Sequence, residues 1–182
     1  KQEFNAYFKD FVHRDWIYVN NVSEDDFLLF LTKHDAVIIK PVDGVEGGGI
    51  RKFILSENRD INLSKLYNNL KEENVLVEEV IVQHPRMIFG NNSVNTIRTH
   101  TILDSQGKAH VIKAILRAGV GDSVVDNYCQ GGSIYEVDLK TGLVCTYGQS
   151  KNNSQSYIHP GTDIVMLGYK IPNWEIVIKE CK

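Results

Sequence analysis

The sequence predicts an α+β fold, and three observations carry that prediction. The first half alternates amphipathic helical segments with short β-branched runs, the second half consists largely of paired strand-like runs joined by turns, and a glycine-rich hairpin links two early strands. A chain of 182 residues, 42% of them hydrophobic, can bury the core of one domain or of two small ones. Its net charge of -3 offers no basic field for a nucleic-acid partner, and its apolar runs are too short to form a transmembrane segment.

Phe4, Phe8, Phe11 and Val12 recur at helical spacing, so residues 3–13 are expected to form an amphipathic helix. Residues 16–19 read as a short strand. Ser23, followed by Glu24, Asp25 and Asp26, is an N-cap with acids in the first turn, where they complement the helix dipole. That helix carries Phe27, Leu28, Phe30 and Leu31 and delivers the chain into the strand 37–39, which Lys40 closes.

Four glycines (Gly44, Gly47, Gly48 and Gly49) separate this strand from a second one at 50–54. Residues without Cβ let successive backbone N–H groups approach an anion, and a lysine at a strand end adds a point charge. The stretch reads as a phosphate clamp, or as a plain glycine-rich hairpin with a surface lysine. No Gly-Lys-Ser/Thr closes the loop and no G-x-G-x-x-G opens a helix after it, which disfavours both of those nucleotide folds.

Asn62-Leu63-Ser64 starts a helix through Leu66 and Leu70, Asn74 breaks it, and the strand 75–77 ends on Glu78-Glu79. Residues 93–103 and 109–116 form a predicted hairpin around the turn 105–108. Asn95, Arg98 and His100 are polar positions of its first strand. Lys113 and Arg117 lie four apart, an even spacing that puts both on one face, either as a phosphate-binding surface or as a solvated one. A further hairpin is expected from 133–139 and 143–147, then a loop over 148–161, then a helix from Pro172 to Lys182.

Cys129, Cys145 and Cys181 make no C-x-x-C pair and leave an odd number, which suits free thiols in a reducing, cytoplasmic compartment. His84, His100 and His159 have no zinc-site spacing.

Taken together, Ile39-Lys40-Pro41 to Gly49, Val77 to Ile81, Ser93-Val94-Asn95-Thr96-Ile97-Arg98, Leu116 to Gly119, Val125-Asp126-Asn127 with Gly131-Gly132, and Gly168 to Trp174 resemble the ATP-grasp superfamily. More narrowly, they resemble its sugar-transfer-associated family, expected to serve cell-surface polysaccharide biosynthesis. The order and spacing of these stretches over nearly the whole chain carry the resemblance. It implies two lobes with antiparallel sheets and flanking helices around a nucleotide cleft: residues 1–82 as an N-terminal lobe with the phosphate flap, and 83–182 as a partial C-terminal lobe.

The resemblance also implies ATP and Mg²⁺. Lys40 would contact the α- and β-phosphates under Gly47, Gly48 and Gly49, with Lys113 adding charge. The backbone of Glu79, Val80 and Ile81 would read the adenine edge, and Glu78 or Glu79 would accept from ribose hydroxyls, unless these acids are only a solvated strand end. Arg98 and Arg117 would stabilise the transferring phosphoryl group, Asn95 and Asn127 would orient the substrate or a metal, and Asp126 would bind Mg²⁺ or make a local turn. The implied reaction is a ligase reaction that activates a small-molecule or sugar-linked carboxylate as an acylphosphate. A non-catalytic nucleotide-binding module and an ATP-dependent phosphotransferase remain alternatives, because the late part of this sequence, where the superfamily places its metal motif, carries no Glu-x-Asn. Its absence suggests a segment of a longer ligase or a shortened relative.

Overall fold

A computed structural model describes residues 1–45, 47–90 and 92–181. They form two antiparallel sheets and four α-helices, an α+β mixture, and the chain divides into two compact units, Lys1–Val82 and Gln83–Lys182.

In the first unit, α1 (Gln2–Tyr7) leads to β1 (Trp16–Tyr18), α2 (Glu24–Lys33), β2 (Ala36–Pro41), β3 (Arg51–Ile54), α3 (Leu63–Glu72) and β4 (Val75–Glu79). The strands pair antiparallel in the order β1-β4-β2-β3. Ser23 caps α2 as expected. Its Oγ accepts from the Asp26 N–H at 3.1 Å while Asp26 reaches back to the Ser23 N–H, so two otherwise orphaned donors are satisfied.

Alternation then sets the two faces of this sheet. Val37, Ile39, Val75 and Val77 point to one side and pack with Phe27, Leu31, Tyr67 and Leu70 from α2 and α3. Lys40 stands opposite Leu76, and Ile38 opposite Glu78, so Lys40 and Glu78 share the other side.

The first helix is shorter than its periodicity suggested, ending at Tyr7 rather than near residue 13. Its aromatic stripe does not face a core, because Phe4, Tyr7 and Phe11 are exposed and the buried residue is Asn5. A polar anchor to Glu78 holds the segment instead.

In the second unit β5 (Thr96–Leu103) and β6 (Ala109–Ala118) form the expected hairpin, with a register shift at His100/Thr101. They continue into β7 (Ser133–Glu136), β8 (Gly148–Gln149) and β9 (Gln155–Ser156), all antiparallel, in the order β5-β6-β7-β8-β9. Ala114, Leu116, Ala118 and Tyr135 face a core with Phe89, Met166, Ile171 and Trp174.

The predicted strand 143–147 does not form. Single bridges, Val137↔Val144 and Leu143↔Lys170, hold that stretch, while two short strands form inside the predicted loop 148–161. The last helix, α4, spans Trp174–Glu180, with the Trp174 Nε1 donating to the Leu139 carbonyl at 3.0 Å. Lys182, its expected end, lies outside the described residues.

Candidate functional site

Each unit carries a charged cluster of its own. In the first, the Glu78 side chain is only 4% exposed and collects three donors: Lys40 Nζ and Arg14 Nε on Oε2, the latter at 2.8 Å, and Asn5 Nδ2 on Oε1 at 3.2 Å. Burial by itself would raise its pKa. The Arg14 hydrogen bond and the charge and hydrogen bond of Lys40 outweigh burial, so the carboxyl titrates below its ordinary 4.5.

Lys1 adds a third cation. Its ammonium donates to the Pro41 carbonyl and, at 2.7 Å, to that of Gly44, at the base of the glycine loop. Burial first, and then the neighbouring Lys40 charge, lower the Lys1 pKa, with Asp43 and Glu78 acting in the opposite sense. Three cations therefore gather around two carboxylates.

The loop beyond Lys40 turns on Gly47 and Gly49, at φ 78° and 71°, a region that residues with a Cβ rarely occupy. Gly48 N–H is tied to the Val45 carbonyl at 2.9 Å, whereas the N–H groups of Gly47 and Gly49 have no partner among the described residues.

Glu79 sits at the end of β4. Its Oε2 accepts from the Asp15 N–H at 3.0 Å, and Asp15, His34 and Glu79 bring one ligand atom each to within 4.8 Å of one another. Lys33 Nζ lies 2.5 Å from the Asp15 carboxylate and already supplies a positive charge there. Val80 and Ile81 follow outside any strand or helix, so their backbone groups are not used in the sheet ladder.

In the second unit, register aligns residues into three rows on the side of the sheet away from the core. Thr96, Arg117, Ile134, Gln149 and Gln155 stand opposite one another strand by strand, as do Arg98, Ile115 and Glu136, with His100 opposite Lys113. Arg98, Lys113 and Arg117 thus share one open face. Lys113 meets Glu136 at 3.5 Å, and Arg98 makes no ion pair among the described residues.

Arg117 is held from behind. Its Nη2 donates to Asp126 Oδ1 at 2.7 Å, and Thr96 Oγ1 donates to Oδ2 of the same buried carboxylate. A family description, sugar-transfer associated ATP-grasp, matches residues 15–181. The chain belongs to the sugar-transfer associated ATP-grasp family. No curated protein matches it.

ATP-grasp proteins generally bind ATP and Mg²⁺, and membership supports a role for this one in polysaccharide biosynthesis. The Lys40 cluster fits phosphate by charge, and the loop that follows β2 carries two glycine amides, Gly47 and Gly49, unpartnered among the described residues. Asp126 fits a divalent cation poorly, because such an ion would face the Arg117 guanidinium at close range. Among the described residues the Asp126 carboxylate accepts from Arg117 and Thr96 and from no neighbouring backbone N–H, so no Asx-turn forms there.

Asn95 of this ATP-grasp chain is buried in a scaffold. Its Nδ2 donates to the Met87 carbonyl at 2.7 Å and its Oδ1 accepts from the Gly119 N–H at 2.9 Å. Asn127 precedes a turn of 3-10 helix, and its carbonyl accepts from the Gly132 N–H at 3.0 Å.

Arg14, Asn5 and Thr96 were missed in the sequence, since each meets its partner across 30 to 73 positions and nothing local marks them. All three cysteines are free, and no described helix is long and apolar enough to cross a membrane.

Proposed function

We propose that this protein activates a carboxylate with ATP for cell-surface polysaccharide biosynthesis. The observation that carries the reading is the single open sheet face bearing Arg98, Lys113 and Arg117, with Arg117 aimed by a buried carboxylate. A carboxylate oxygen attacks the γ-phosphorus, its bond to the β,γ-bridging oxygen breaks, and ADP and an acylphosphate result. An amine or other nucleophile then attacks the acyl carbon, and inorganic phosphate leaves with the electron pair of the broken C–O bond.

Charge develops on the transferring phosphoryl oxygens, where fixed guanidinium groups act without reorganising. Arg98 and Arg117 take that role. Asp126 is a positioning residue for Arg117 rather than a metal ligand. Within the first unit, Lys40 and the amides of Gly47 and Gly49 suit phosphate oxygens, and Glu78 holds Lys40 instead of contacting ribose. The unpaired backbone of Val80 and Ile81 suits the adenine edge. Mg²⁺, when bound with ATP, would offset part of the phosphate charge.

ADP release is the test, measured with ATP, Mg²⁺ and a panel of carboxylic acids and amines. ADP that depends on both acid and amine supports a ligase. ATP bound without ADP release under every combination overturns the catalytic reading and leaves a nucleotide-binding module.

A further inference from the structure

Beyond the charged residues, the same unit carries an aromatic feature that the proposed reaction does not use. Tyr147 and Tyr157 are each about half exposed, at 51% and 52%, with ring centroids 6.3 Å apart and planes inclined by 50°. Neither ring belongs to the core cluster. On the Tyr147 side opens a cavity of about 430 Å³ lined by Thr146, Tyr147, Gln149, Gln155 and Leu167 together with Cys145, and Tyr157 adjoins it through its ring contact with Tyr147. That volume falls within the roughly 300–1,000 Å³ typical of small-molecule sites.

The lining is selective in its chemistry. Gln149 and Gln155 stand opposite each other across β8 and β9, so both amides project from one face. Each amide donates and accepts, the Thr146 hydroxyl does both, and no Asp, Glu, Lys or Arg lines the cavity among the described residues. An anion would find no cation here. A purely apolar partner would bury two amides without hydrogen-bond partners, at a cost of desolvation.

A sugar ring satisfies both requirements. Its C–H-bearing face packs on a tyrosine ring, and its hydroxyls, which donate and accept at the ring edge, match the amides. We propose that the Tyr147–Tyr157 trough binds a neutral oligosaccharide, the rings stacking its sugars while Gln149 and Gln155 take its hydroxyls.

The trough also leads somewhere. Thr146 and Gln149 line both this cavity and a smaller one of about 100 Å³ bordered by Lys113, Ile115, Ile134 and Glu136 on the cationic face. A saccharide lying in the trough would direct one end toward Lys113. Its role as the substrate-bearing or acceptor glycan rests on the function proposed above, whereas its binding does not.

Calorimetric titration with cellohexaose, maltohexaose and chitohexaose tests the site, with ATP titrated separately. At least one hexasaccharide should bind saturably to the native protein. Tyr147→Ala should weaken that binding by about tenfold or more, since a lost aromatic contact and its buried area act together. Tyr147→Phe should retain it, because stacking needs the ring and not the hydroxyl. ATP affinity should be the same in both variants. Should Tyr147→Ala fail to fold, Tyr157→Ala and Gln155→Ala carry the same expectation.

The proposal is overturned if none of the three sugars binds, or if the alanine variants bind as the native protein does. Either result would leave the tyrosines as a surface for another macromolecule. Saccharide binding that persists while ATP fails to bind would instead sink the nucleotide reading alone.

Discussion

Lys40 stands in a carboxylate's grip, and that arrangement shapes what its loss should do. Its ammonium shares Glu78 Oε2 with Arg14, so Lys40→Ala leaves Glu78 with Arg14 and Asn5 and should spare the fold. ATP affinity should fall by about tenfold or more, as expected for one lost charged hydrogen bond of roughly 1.5–3 kcal/mol, read by calorimetric titration. Glu78→Gln should act the other way, on stability first, by about 1–3 kcal/mol, because two cations lose their counter-charge yet keep some solvent contact. A carboxyl whose pKa is depressed on folding contributes stability that is fully present above its unfolded value and is lost as pH falls through the folded one. Urea midpoints should therefore drop for the native protein as pH is lowered past 4.5, and drop less for Glu78→Gln. Arg117→Ala should lower kcat more than it raises the KM for ATP. Asp126→Asn should do the same more mildly, since it removes the charge that aims Arg117 and keeps one of the two acceptor oxygens. A steady-state loss confined to KM would remove the transition-state role from both.

Among the elements, the β5–β6 hairpin leaves the sheet at Gly119, where three segments meet. A Cβ on Gly119 would lie 2.0 Å from Ser93 Oγ, so the backbone passes where only glycine fits. Its N–H donates to Asn95, and its carbonyl accepts from His159 Nε2 at 2.9 Å, while His159 Nδ1 faces the Tyr135 hydroxyl at 3.2 Å. Gly119→Ala should destabilise the protein by about 1–3 kcal/mol through overpacking, seen as a lower melting temperature. Burial of His159, only partly offset by the bond to Gly119, lowers its pKa from 6.5 and keeps the ring neutral. The unfolded chain takes up that proton first. Stability from His159 is therefore complete above pH 6.5 and declines as pH falls below it, and His159→Asn should flatten melting temperature against pH between about 7 and 5. The sequence placed His159 in a loop and Asn95 where it would orient the substrate or a metal. Both side chains are buried and hydrogen-bonded to backbone groups, Asn95 to Met87 and Gly119 and His159 to Gly119, across 8 to 40 positions.

For the whole chain, any ligand that binds only the folded protein must stabilise it by mass action. ATP at a hundred times its Kd should add about 2.7 kcal/mol, so a saturable thermal shift is expected.

Local chemistry in the sequence determined a good deal: the Ser23 cap, the strands flanking the glycine loop, the β5–β6 hairpin, and Lys113 and Arg117 on a common face, all of which depend on neighbours or on a period of two. The order of motifs along the chain also marked its family. Tertiary structure alone decided the partners: that Glu78 is buried under Arg14 and Asn5, that Asp126 serves Arg117, that residues 143–147 bridge rather than pair, and that Tyr147 comes beside Tyr157. Burial and ion pairing depend on what the folded chain brings within a few ångströms, and sequence separation does not encode that distance.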